Sequence, residues 1–306
     1  GGHDGGMGMI WTRRALILSA ALMVAWVGYE TLVPPGPPEP NFPNIAYGAA
    51  SQRQGMDIYL PTGERPFPVV IDIHGGSFRE GGKDEQIIPR AFLARGIAVA
   101  SVNYRLTDEA PWPAQQEDLL QAVNFLLSEG QAFGLDPGRL ALFGQSAGGF
   151  LALTTAVQLS RAGLPPAAVL AFYPITDLGT IDAELETLGR RSPLGPADVP
   201  DSPFSALLGK PLELYRAEGS AISPLGALSR LPTGIRLPPL LLRHGALDEV
   251  VAPAQSDRLA VTWRRIDPLA QVDYEVLPDW GHAGGRFYRA EVIEPAADFL
   301  ARAFLP

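Results

Sequence analysis

The chain contains no cysteine. That excludes disulfides, thiolate zinc sites and a cysteine nucleophile together, and any lipid anchor attached through sulfur. Histidine is nearly as scarce. Only His3, His74, His244 and His282 occur, too few to suggest a multi-histidine metal centre, and no cofactor is called for. Positive charge is in deficit, with 24 Lys and Arg against 33 Asp and Glu and a net charge of −9. This argues against nucleic acid as a partner, because phosphate binding needs a basic surface. The apolar run from Ala15 to Gly28 is short of the ~20 residues that a bilayer span requires.

What is present is a chain of 306 residues, 46% hydrophobic, enough for one large α/β domain. Three segments are expected. Residues 1–33 hold a tag-like GGHDGG and then a basic pair, Arg13 and Arg14, ahead of the short apolar run. A basic pair before a short apolar core is the layout of an export signal. No small-x-small cleavage site follows, so an uncleaved anchor stays open, as does a helix belonging to the fold. The expected location is therefore exported or membrane-anchored through residues 10–33, with a cytoplasmic location as the alternative. Residues 34–43, PPGPPEPNFP, read as a stiff Pro-rich linker. The domain proper is expected over 44–306.

Within it, short apolar runs recur: VVIDI (69–73), IAVASV (97–102), LALF (140–143), AAVLAFY (167–173) and PLLLRH (239–244). Their nearly continuous hydrophobicity suits parallel strands buried on both faces. VDYEV (272–276) alternates instead and suits a strand nearer the sheet edge. Helical patterns lie between them. Over 113–130, Leu119, Val123, Leu126 and Leu127 are expected on one buried face, and Pro253 is placed to open a helix carrying Leu259 and Trp263. Strand and helix alternate, so the class is α/β with a mostly parallel sheet and helices on both faces. Residues 178–235 are rich in Pro, Gly and Ser and break that rhythm. They read as a small cap inserted over the carboxyl edge of the sheet, where open α/β sheets bind ligands.

One stretch concentrates the chemistry. In LALFGQSAGGFLAL (140–153) an apolar strand runs into Gly144-Gln145-Ser146-Ala147-Gly148, and an apolar helix follows. This fits G-x-S-x-G, the nucleophile elbow, in which a sharp strand-to-helix turn exposes a serine hydroxyl. The motif alone is weak, but the strand before it and the helix after it are the context it requires. A serine hydroxyl needs a base. His282, in the glycine-flanked LPDWGHAGG, is the only histidine after the last strand. His244 lies in or at the end of a strand and reads as a structural, hydrogen-bonded histidine. The acid should follow the strand PLLLRH. Asp248 does, with Glu249 beside it; Asp273 sits within a strand, and Asp279 is close to His282 in sequence. The order Ser146, Asp248, His282 is the order this motif uses. Developing charge on a carbonyl oxygen needs preorganised donors. The N–H of Ala147 is one candidate, and the loop IHGGSF (73–78) after the strand VVIDI offers others.

These motifs, HGGSF (74–78), NYRL (103–106), GQSAGG (144–149), HGALDEVV (244–251) and GHAGG (281–285), resemble the α/β-hydrolase superfamily from about residue 45 to 300. The likeness is strongest to HGG(G/S)-type carboxylesterases, akin to hormone-sensitive-lipase-like esterases and to bacterial feruloyl and acetyl esterases. The resemblance implies oxyanion donors at Gly76, Ser77 and Ala147, with Ser77 standing where the family often has a third glycine. It implies loop support from His74 and Gly75, and structural roles for Tyr104 and Arg105 beneath the site. Tyr173 is expected either to line the pocket or to pack in the core.

The expected function is hydrolysis of small short-acyl or aryl esters through an acyl-enzyme, with no metal. A peptidase or amidase on the same framework is the alternative, distinguished by turnover of p-nitroanilides. A silent hydrolase fold used for binding is another, distinguished by failure to react with a fluorophosphonate. The sequence leaves the oligomeric state open.

Overall fold

The computed structural model describes residues 38–305. The chain divides into two units, Gly1–Pro38 and Glu39–Pro306. The tag-like segment, the signal or anchor reading over 10–33 and residues 34–37 of the Pro-rich segment lie outside the described residues. Among the described residues no helix is long and apolar enough to cross a membrane.

Eight strands form one sheet: β1 (Phe42–Ala46), β2 (Gly55–Tyr59), β3 (Phe67–Ile73), β4 (Ala98–Val102), β5 (Leu135–Gln145), β6 (Val169–Phe172), β7 (Leu240–Gly245) and β8 (Val272–Leu277). Their order is β1-β2-β4-β3-β5-β6-β7-β8. β2 runs antiparallel to both of its neighbours, and β3 to β8 are parallel. This is the mostly parallel α/β sheet that the apolar runs imply. Each of those runs forms a strand, and VDYEV lies at the edge. β1 and β2 escape the pattern. β1 is half-exposed and carries Pro43, which an edge strand tolerates because one side needs no ladder donors. It begins at Phe42, inside the segment read as linker, and the N–H of Asn41 already donates to Ile58 O at 2.8 Å. The domain therefore starts a few residues before 44.

Side chains alternate across the strands. On one face Val69, Ile71 and Ile73 of β3 and Leu140 and Leu142 of β5 pack with Leu119, Phe150, Leu259 and Trp263. On the other, Val70, Phe143 and Leu241 pack with Phe92, Phe287, Val292 and Phe299. The helices supplying these residues are α1 (Arg90–Ala94), α2 (Ala114–Glu129), α3 (Ala147–Arg161), α8 (Ala254–Ile266, capped by Pro253) and α9 (Ala290–Ala303), with Phe287 on a short 3-10 turn (Gly285–Tyr288). One expectation fails here: Leu127 is 41% exposed, while Leu119, Val123 and Leu126 are buried. At 3.6 residues per turn, Leu126 returns to within about 20° of Leu119, whereas Leu127 swings about 80° away.

Between β6 and β7 lies the insertion read as a cap. It is more helical than its composition suggested: α4 (Ile181–Thr187), α5 (Pro203–Leu208), α6 (Arg216–Ile222) and α7 (Pro224–Ser229). Each spans two turns or fewer, which leaves little periodicity to read. It rests on the loops at the carboxyl edge. Trp112 N–H donates to Leu207 O at 2.7 Å, and Arg190 Nη1 donates to Ala246 O and Asp248 O at 2.9 and 3.2 Å.

One residue runs against the core. Asp72, the penultimate residue of β3, is fully buried with neither carboxyl oxygen hydrogen-bonded, and burial pushes it up to about 8. Its folded value lies above the ordinary carboxylate value near ~4, so the folded chain binds more protons than the unfolded chain between those limits. The contribution to stability is fully present below pH ~4 and is lost as pH rises towards ~8. Asp72→Asn should therefore gain stability over the wild type by several kcal/mol on going from pH 5 to pH 8.5. Urea unfolding at both values checks this; equal pH slopes in the two proteins would show that Asp72 carries no such cost.

Candidate active site

Backbone strain marks the site without reference to any motif. Of the six non-glycine residues with positive φ among the described residues, five are Ser77, Phe78, Ser146, Tyr173 and Ala283. All five lie in loops leaving the carboxyl ends of strands. Such conformations cost on the order of 1–3 kcal/mol each and cluster where geometry serves function.

Ser146 sits between β5 and α3 with φ 52° and ψ −119°, at the tip of the turn and at the positive end of the helix dipole. The flanking glycines are explained by contact, not by their own φ. A Cβ on Gly144 would stand 2.2 Å from Gly148 O, and one on Gly148 would stand 2.0 Å from Ile73 O and 2.5 Å from His74 O. The elbow thus presses directly against the end of β3 and the loop that follows it.

His282 and Asp248 arrive from the loops after β8 and β7. His282 Nε2 lies 3.0 Å from Ser146 Oγ, and His282 Nδ1 lies 2.7 Å from Asp248 Oδ2. The carboxylate can only accept, so Nδ1 carries the proton and Nε2 is left to accept from the serine hydroxyl. Asp248 is wholly buried. Its Oδ1 accepts the N–H groups of Val250 and Val251, both at 2.8 Å. Burial works to raise its pKa, but the neighbouring His244 and His282 imidazoles outweigh that and hold the carboxyl well below the usual range. Glu249, the neighbour left open by sequence, takes no part in these contacts; Asp273 accepts from Arg243 Nη1 at 2.9 Å.

The loop after β3 faces the elbow. Gly76 (φ 97°), Ser77 (φ 52°) and Phe78 (φ 62°) turn it sharply, and a Cβ on Gly75 would come within 3.0 Å of Gln145 O. Ala147, the first residue of α3, is buried beside it. His74 is fully buried and stacked on Tyr104, with ring centroids 4.3 Å apart. Burial pushes it down to about 4, so it is neutral at pH 7. Its Nδ1–H donates to Gly75 O at 2.7 Å. Tyr104 OH donates to His74 O at 3.0 Å. Arg105 pairs with the buried Asp118 at 2.7 Å, fixing the NYRL segment beneath.

Sequence reasoning left several contacts unseen. Tyr173 packs edge-on against His282, with centroids 4.8 Å apart, and its hydroxyl donates to Gln145 Oε1 at 3.2 Å. It is buried and packs against His282. Gln145 in turn donates to Tyr288 OH and to Gln86 Oε1. These partners are far apart in sequence, and no local pattern signals them.

With this geometry in hand, the chain was compared with known proteins. The BD-FAE family model matches residues 56–262. The acetyl-hydrolase of Streptomyces hygroscopicus is 32% identical over 243 residues, covering 76% of this chain and 75% of that protein. Esterase LipI of Mycobacterium tuberculosis is 34% identical over 145 residues, 45% of each chain; the match thus spans less than half of LipI. Among solved structures, a truncated form of a carbohydrate esterase from gut microbiota aligns with a TM-score of 0.73 at 23% identity, covering 88% of this chain and 99% of that one. This last likeness supports the α/β-hydrolase fold.

The contact of the elbow with β3 has a testable consequence. Gly148→Ala meets the backbone of Ile73 and His74 and should cost about 1–3 kcal/mol or more, while Gly285→Ala, where nothing lies within 4 Å, should be nearly neutral. Thermal unfolding of both variants checks this; equal losses would contradict the close approach.

Proposed function

The chain belongs to the BD-FAE family of α/β-hydrolase carboxylesterases, and from that premise we propose that it hydrolyses short-acyl or aryl esters through an acyl-enzyme formed on Ser146. One observation carries the reading: a single hydrogen-bonded line from Ser146 Oγ through His282 to Asp248, with links of 3.0 and 2.7 Å. Ser146 Oγ attacks the ester carbonyl carbon while His282 Nε2 takes its proton. Asp248 keeps His282 in the tautomer that accepts at Nε2 and stabilises the imidazolium without itself being protonated. The N–H groups of Gly76, Ser77 and Ala147 receive the developing oxyanion; such preorganised donors contribute about 3–4 kcal/mol each where removal has been measured. His282 then protonates the departing alcohol, and water repeats the sequence to release the acid.

The short-acyl preference rests on the acetyl-hydrolase matched over three-quarters of its length and on the cap segment that meets Trp112, whose ring packs edge-on against Phe150, as does that of Phe78. The basic pair and apolar run within residues 10–33 support export or membrane anchoring of this esterase.

The reading predicts that p-nitrophenyl acetate and butyrate are turned over readily and palmitate poorly. Ser146→Ala and His282→Ala should each lose at least about 10³-fold in kcat with thermal unfolding nearly unchanged. Steady-state hydrolysis across the acyl series tests this; retained activity in either variant breaks the triad assignment. Comparable turnover of p-nitroanilides would favour an amidase.

A further inference from the structure

Asp248 lies between two imidazoles, and only one of them belongs to the proposed triad. His244, at the end of β7, is fully buried. Its Nε2 is 3.2 Å from Asp248 Oδ2, the same oxygen that accepts from His282 Nδ1. The same Nε2 is 2.9 Å from Val251 O. Both neighbours of Nε2 are acceptors, so that nitrogen must carry a proton. The other nitrogen, Nδ1, is 2.7 Å from Ser256 Oγ on α8. A hydroxyl can donate there, which leaves Nδ1 free to accept and fixes the tautomer from the far side.

From this geometry we infer that His244, set by Ser256, is a positioning residue for the ester-hydrolysing triad. Its Nε2–H donates to Val251 O and turns the positive edge of the ring to Oδ2 at 3.2 Å, which favours that oxygen on the line to His282. The proposed triad thereby extends to Ser256–His244–Asp248–His282–Ser146. Three features make this more than packing. The contact is to the oxygen that His282 uses, not to Oδ1, which the N–H groups of Val250 and Val251 already occupy. The donor is rigid, because a buried strand residue fixes it at one end and a helix hydroxyl at the other. And one imidazole donor with a second N–H edge 3.2 Å away on Oδ2, and two amides on Oδ1, favour one orientation of the carboxylate. Orientation by such outer partners is worth substantial activity wherever a reacting group must be held in one geometry.

The inference rests on the triad reading above, and its first test does not depend on activity. In the wild-type protein, long-range ¹H–¹⁵N correlation spectra of the histidine rings should show His244 protonated at Nε2. A bare Nε2, with the proton at Nδ1 alone, would turn a lone pair towards the carboxylate. That result would overturn the inference while leaving the triad reading intact. The second test separates positioning from stability. His244→Leu should lose between about 10- and 100-fold in kcat per titrated active site, with KM little changed. The acid limb of its kcat/KM profile should move upwards, because a carboxylate relieved of one donor presents more charge to the His282 imidazolium. His244→Gln, which retains an amide donor, should recover most of the loss. Should His244→Leu fail to fold, Ser256→Ala takes its place, with a smaller loss of kcat in the same direction. A folded His244→Leu or Ser256→Ala with wild-type kcat per site and an unmoved acid limb would reduce His244 to a packing residue.

Discussion

The carboxylate of Asp248 is the point from which the rest of the site is hung. It is buried, a placement made tolerable by the polar groups facing both oxygens: two backbone amides donate to Oδ1, His282 donates to Oδ2, and His244 Nε2 stands 3.2 Å from Oδ2. A buried charge left unpaired would neutralise itself by taking a proton. Here hydrogen bonding keeps it ionised, and an ionised acid is what His282 needs in order to sit with Nδ1–H inward and Nε2 towards Ser146. Asp72 offers the contrast within one molecule. It is equally buried but without partners, and burial drives it towards the protonated form.

The sheet supplies the rigidity this arrangement requires. β3, β5, β6 and β7 are adjacent and parallel, so the loops leaving their carboxyl ends converge on one rim. The loop of Gly75 to Phe78, the elbow, Tyr173 and the loop carrying Asp248 come from those four strands in turn, and His282 follows from β8. Close backbone contact at Gly148, which has no room for a Cβ against Ile73 and His74, locks the elbow to the end of β3, and Gly144 closes the turn upon Gly148. The cap adds a further restraint through Arg190, which holds the carbonyls of Ala246 and Asp248 and so ties the acid loop from above.

Much of this was legible in the sequence because the chemistry demands particular residue types in a particular order. A serine set between small residues, a late histidine and an acid between them are few enough in a chain with four histidines to be picked out one by one. The parallel strands were legible because burial on both faces leaves an unbroken apolar run. The edge strands β1 and β2 were not, since half-exposure and a proline erase that run. The cap helices were not, because two turns hold too little periodicity. His244 was read as structural; nothing in HGALD tells that its ring faces Asp248, since a strand's alternation gives the side of the sheet and not the partner. The Tyr173–Gln145–Tyr288 contacts join residues up to 143 positions apart, beyond the reach of any local pattern. The family comparison bears on the fold and the reaction class, while the residue roles rest on distances and hydrogen-bonding logic.

Covalent labelling addresses the proposed nucleophile without assuming a substrate. A fluorophosphonate incubated with the folded protein, followed by peptide mapping by mass spectrometry, should place one phosphonyl group per chain on Ser146, with labelling abolished by prior denaturation. Absence of label on folded protein, or label on another residue, would contradict the account of Ser146 as a nucleophile activated by His282 and Asp248.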